Sequence, residues 1–135
     1  MLRQLYSVRI FAVLFLFVLF GFSSFAQAQS TKEVLSNPQV GDIYVARLDH
    51  FSKVTFGRHG DKAFGLLRVT EVDDSRVIVI TTTKGWSDSR AVTTVLNQGV
   101  KEVEWDTGEK IEILRADLPS FAENELVLDA RRGGE

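Results

Sequence analysis

The sequence predicts a mainly β, α+β domain: a small antiparallel barrel or a strongly coiled sheet with one amphipathic helix packed on it. Three observations carry that prediction. Two β-prone runs, FGLLRVTEV (64–72) and RVIVITTT (76–83), are separated only by Asp73-Asp74-Ser75, and Asp tolerates a tight turn between β-branched flanks. Val103, Trp105, Ile111 and Ile113 alternate with Glu102, Glu104, Lys110 and Glu112, the two-residue period of strands that face a core on one side only. Ala91, Val92, Val95 and Leu96 recur at helical spacing, which makes one apolar helix face.

The chain opens MLRQLYSVRIFAVLFLFVLFGFSSFAQAQS. Arg3 and Arg9 form a positive n-region, and residues 10–22 make an apolar run of 13 residues. That is the length of a signal-peptide core, short of the roughly 20 residues a membrane-spanning helix needs. Ala26 and Ala28 supply the small-x-small pattern read by signal peptidase, so residues 1–28 are expected to be a leader cleaved after Ala28. The expected location is the periplasm or the exterior. A retained span over Leu5 to Phe25 is the alternative, opposed by Ser7, Arg9, Ser23 and Ser24.

Taking Arg3 and Arg9 from the 16 basic residues leaves 14 against 18 acidic, a net charge of −4 beyond the leader. A mildly acidic surface gives no electrostatic case for nucleic acid or anionic lipid. The chain has no cysteine, which removes thiol catalysis, disulfides, thiolate metal sites and a lipoprotein anchor together. The domain must be held by its core. Residues 29–135 suffice, since chains of about that length bury roughly two-thirds of their surface.

Residues 29–39 (QSTKEVLSNPQ) are polar and end in Asn37-Pro38, so they read as a flexible arm. The single domain is expected over 40–131. VGDIYVARL (40–48) is its first strand, with Ile43 and Val45 on one face and Tyr44, Ala46 and Leu48 on the other. Residues 49–63 are irregular, broken at Gly57 and Gly60. The 64–72/76–83 hairpin follows, then the TTTKGWSDSRAVTT stretch (81–94).

The helix is predicted from about Asp88 to Gln98, with Gly99 as its stop. Ser87 or Asp88 supplies the cap, and Trp86 ahead of Ser87 packs toward Ala91 as a hydrophobic staple. A second hairpin joins VKEVEW (100–105) to EKIEIL (109–114) through Asp106-Thr107-Gly108. One helical turn over 115–124, capped by Asp117 with Pro119 in its first turn, leads to a last strand at 125–131 and a frayed tail at 132–135. Six strands result.

The Gly41-Asp42-Ile43-Tyr44 start, the irregular loop and the long hairpin resemble the opening of SH3-like small β-barrel domains, over about residues 40–83. The resemblance implies a barrel and no particular function, because small barrels host many activities.

Chemistry-bearing residues are sparse. His50, His59 and Asp61 offer imidazole and carboxylate ligands for a metal, but Lys53, Arg58 and Lys62 stand among them and the spacing fits no metal motif. No metal or other cofactor is expected. Ser87 or Ser89 with a borrowed histidine would make a hydrolase, yet the chain has no G-x-S-x-G elbow and no S-x-x-K pair. Serines at a helix start are more simply caps. Asp73-Asp74 and Glu102, Glu104, Glu109 and Glu112 read as solvated faces rather than carboxylates opposed across a cleft. Gly57-Arg58-His59-Gly60 lacks the Lys-Ser/Thr of a phosphate loop, although Arg58, His59 and Lys62 could meet an anion.

The resulting expectation is an exported interaction protein without a catalytic site, a monomer or small oligomer that binds another protein. Trp86, Arg58, His59, Lys62, Glu102 and Glu104 are its candidate contact residues. An immunity-type inhibitor or an envelope accessory protein suits that description. The alternatives are a metal-dependent or hydrolytic enzyme using the His50–Asp61 loop, and a structural module of an envelope assembly.

Overall fold

The computed structural model describes residues 23–133, with side chains from residue 30 onward. Residues 1–22 of the leader predicted over 1–28, and the side chains of its Ala26-x-Ala28 pattern, lie outside the described residues. Thr31–Glu135 form one compact unit. In chain order the elements are α1 (Ser23–Ser36), β1 (Ile43–Arg47), α2 (Leu48–Phe51), β2 (Phe64–Val72) and β3 (Arg76–Thr82). Next come α3 (Ser89–Gln98), β4 (Trp105–Leu114), a 3-10 turn (Arg115–Asp117), α4 (Leu118–Glu123) and β5 (Val127–Arg131). No helix among the described residues is long and apolar enough to cross a membrane.

The five strands form one antiparallel sheet in the order β4-β3-β2-β1-β5. The first four make a meander, and the chain then returns through α4 to lay β5 beside β1. The sheet is not closed into a barrel: β4 and β5 are its two outer strands. It is instead an α+β sheet covered on both faces.

Inner strand β1 shows why. Ile43, Tyr44, Val45 and Ala46 are all fully buried, and successive strand side chains point to opposite faces. Ile43 and Val45 join Leu66 of β2 in one core, closed by Val92 and Leu96 of α3 and by Val100. Tyr44 and Ala46 join Leu67, Val69, Val77, Val79 and Ile113 in another, closed by Val34 and Leu35 of α1 and Leu118 of α4. Two-sided burial makes a continuous apolar run where a one-sided strand would alternate.

Residues 31–36 are therefore no flexible arm. Leu35 is fully buried and Thr31 and Val34 nearly so, and Lys32 pairs with Glu123 of α4 at 2.9 Å. Arg132 is no frayed end either. Its Nη1 donates to Asp42 Oδ2 at 2.8 Å and to the Asn37 carbonyl at 2.6 Å. Asp42 is fully buried. Burial pushes its carboxyl upward, opposed by the Gln39 N–H and the Arg132 guanidinium.

The second predicted hairpin does not form. Residues 100–104 are not a strand, and Trp105–Leu114 runs as one strand through Asp106-Thr107-Gly108. Val79 pairs with Ile111 and Thr81 with Asp106, so two steps along β3 span five along β4. The surplus residues make a bulge, which preserves the strand direction and re-aims side chains. The Gly108 N–H donates to Asp106 Oδ1 at 2.9 Å, turn chemistry used without reversing the chain. Glu109, lifted by the bulge, accepts from the Ser52 hydroxyl and from the Lys53 N–H (2.9 Å), clamping the start of the 52–63 loop.

Candidate functional site

β3 and β4 pair up to Thr82↔Trp105. Beyond Thr83 and Glu104 the two chains diverge, one running to α3 through 83–88 and the other returning from α3 through 99–104. The space between these arms is a groove of about 730 Å³. Trp86, Val95 and Val103 form its apolar lining, while Lys84, Lys101, Glu102 and Glu104 bring charge to it.

Backbone contacts hold both arms. The Thr83 N–H donates to the Glu104 carbonyl at 3.0 Å, joining the arms at the sheet end. Trp86 makes an isolated bridge to Phe64, with Phe64 N–H to Trp86 carbonyl at 2.7 Å and the reciprocal bond at 2.8 Å. The buried Thr82 hydroxyl accepts from the Leu66 N–H (3.4 Å) and donates to the Lys84 carbonyl (2.8 Å). Gly85 is required by a close approach: a Cβ there would lie 2.7 Å from the Phe56 ring. The 52–63 loop thus buttresses the Trp86 turn from behind.

The cap of α3 is Asp88, whose side chain accepts from the Arg90 N–H, and not Ser87. Pairing with Arg90 holds the Asp88 carboxyl below its ordinary value. With Asp88 as cap, the residue before it is Ser87, so Trp86 is not the staple that sequence predicts. It is held by the Phe64 bridge and packs, half-buried, on the core that includes Ile43 and Val92. Its remaining surface lines the groove, with Lys84 Nζ 5.2 Å from the ring centroid. Trp105 sits on the same core with Arg68 over its ring at 5.6 Å.

Of the residues singled out from sequence, Trp86, Glu102 and Glu104 converge on this groove. Glu102 and Glu104 do not decorate the outer face of a hairpin, because residues 100–104 belong to the return arm; Val103 N–H to Val100 carbonyl, at 3.2 Å, bends it. Arg58 and His59 line a separate pocket of about 280 Å³ with Asp49 and Asp61. Lys62 lines neither. His50 lies edge-on to Phe51 and Phe121, with centroids 4.9 and 6.4 Å away.

The carboxylates of the smaller pocket are already engaged. Arg47 holds Asp49 at 2.6 and 2.9 Å, lowering its pKa, and Asp49 also accepts from the Ala63 N–H. Asp61 Oδ2 accepts from the Arg58 N–H at 3.1 Å. Among the described residues, no group of three His, Asp or Glu side chains is disposed to hold a metal ion.

Sequence reasoning missed Val95, Val103, Lys84 and Lys101 as groove residues. Lys101 and Val103 flank Glu102 and Glu104, and Lys84 lies close to Trp86, but Val95 sits on α3, and contacts between distant segments, the Thr83–Glu104 bond and the shared core under α3, bring the four together. Comparison with protein-family models, curated proteins and solved structures gives no match.

Proposed function

We propose that this chain is an exported, non-catalytic binding protein that engages another protein through the Trp86 groove. An immunity-type inhibitor or an envelope accessory protein is the kind of role such a domain fills. The observation that supports this most is the convergence of Trp86, Glu102 and Glu104 with Val95 and Val103 on one groove. Concave apolar surface with a few polar groups at its margin is the common form of a binding site, and a rigidly held aromatic is the usual anchor of a protein contact. The smaller loop pocket supports an enzyme less well, since its carboxylates serve the loop itself.

The test is capture of a partner by tagged residues 29–135 from a periplasmic extract. Wild-type protein should recover one partner stoichiometrically, and a Val103→Asp variant, which puts a charge into the groove, should lose it. Recovery of nothing by wild-type protein at low salt refutes the reading.

A further inference from the structure

We propose that the groove takes an extended peptide segment in which one apolar side chain has an acidic residue two positions to one side and a basic residue two positions to the other, so that all three share a face. This rests on the binding reading above and names the ligand chemistry.

The lining sets the middle of the ligand. Trp86, Val95 and Val103 pack on the core beneath α3, so an apolar side chain seated on them extends that core outward and gains the usual burial free energy. The volume, about 730 Å³, lies within the roughly 300–1,000 Å³ of sites that bury a ligand the size of a short peptide. Both walls are fixed by backbone hydrogen bonds before anything binds, which limits the ordering cost to the peptide.

The margin sets the flanks. Lys84, Lys101, Glu102 and Glu104 bring two charges of each sign to one groove. None of the four takes part in the ion pairs that occupy Lys32, Arg47, Arg76, Arg90, Arg131 and Arg132. A polyanion meets Glu102 and Glu104, and a polycation meets Lys84 and Lys101, so neither suits the groove. A neutral saccharide can hydrogen-bond these exposed charges but neutralises none, so it forgoes the Coulombic attraction that a charged ligand gains. Opposite charges on either side of an apolar residue meet both sets. Lys84 already lies on the indole, so a ligand carboxylate engaging it arrives beside the apolar seat.

The test titrates acetylated, amidated Glu-Gly-Leu-Gly-Lys, whose Glu, Leu and Lys share one face when extended, its neutral analogue Gln-Gly-Leu-Gly-Gln and a neutral trisaccharide into residues 29–135 carrying Trp105→Phe, following Trp86 emission. The charged peptide should bind about tenfold more tightly than the neutral one at low salt, and the difference should vanish at roughly 0.5 M salt, where exposed pairs are screened. A Glu102→Gln, Glu104→Gln double variant, whose exposed positions leave folding intact, should abolish the preference. Equal or tighter binding of the neutral peptide or the saccharide overturns the proposal, as does a preference unmoved by the double variant. If partner capture fails with Val103→Asp but survives both glutamine substitutions, the groove reading stands and the charge proposal falls. If wild-type protein captures nothing, the reading itself falls.

Discussion

Arg132→Ala isolates one buried charge. Asp42 is fully buried and receives the Gln39 N–H and the Arg132 guanidinium on Oδ2, with the Gly133 backbone also lowering its pKa, while Oδ1 has no hydrogen-bond partner. Removing one member of a buried ion pair costs about 3–5 kcal/mol because the other charge is stranded. The Arg132 side chain is 37% exposed, and solvent screens a pair of that kind. The Gln39 donor also survives, so the expected loss is about 2 kcal/mol, read as a fall of about 1 M in the urea midpoint. The pH dependence identifies the cause. Burial raises the Asp42 carboxyl above its ordinary 3.8, so the folded state keeps this proton to higher pH than the unfolded chain. Its contribution to stability then falls as pH rises from 3.8 to the folded value, and the full cost persists above. Without Arg132 the folded pKa climbs further, and the variant should recover toward wild type as pH drops from 7 to about 4. Carboxylates of the opposite sign, such as Asp49 and Asp88, titrate alike in both proteins and cancel. Asp42→Asn in the Arg132→Ala background should also restore part of the loss. A deficit equal at both pH values and untouched by Asp42→Asn would show that tail packing, not the buried charge, was removed.

Three further outcomes follow from single residues. Tyr44→Phe should leave stability unchanged or raise it by about 1 kcal/mol in urea unfolding, because the buried Tyr44 hydroxyl has no partner and only costs desolvation. Gly65→Ala should cost about 2 kcal/mol in the same assay: its Cβ would fall 2.4 Å from Leu48 Cδ1 and 2.7 Å from Thr82 Oγ1, and both neighbours are buried. Asp73 should titrate near 2 by NMR, since the Ser75 and Arg76 N–H groups hold its carboxylate in the β2–β3 turn; its stabilising contribution, present above 3.8, should disappear between 3.8 and about 2.

What the sequence made legible was local. The 64–72/76–83 hairpin, the apolar face of α3, its stop at Gly99 and the two faces of β1 each rest on neighbours within a turn or a strand. The failures come from contacts between distant segments. Residues 29–36 offer only Val34 and Leu35 as apolar signal, and the core of the sheet, not their own pattern, holds them helical. Arg132 and Asp42 meet across 90 residues of chain. Asp106-Thr107-Gly108 has the chemistry of a turn, but β3 continues alongside on both sides of it, and pairing with β3 converts a reversal into a bulge. That conversion also shapes the groove. A true hairpin would have kept 100–105 in the sheet, with Glu102 and Glu104 facing solvent and nothing opposite Trp86. Because β4 instead runs straight through the bulge, residues 100–104 form a return arm outside the sheet, and that arm is the second wall of the groove.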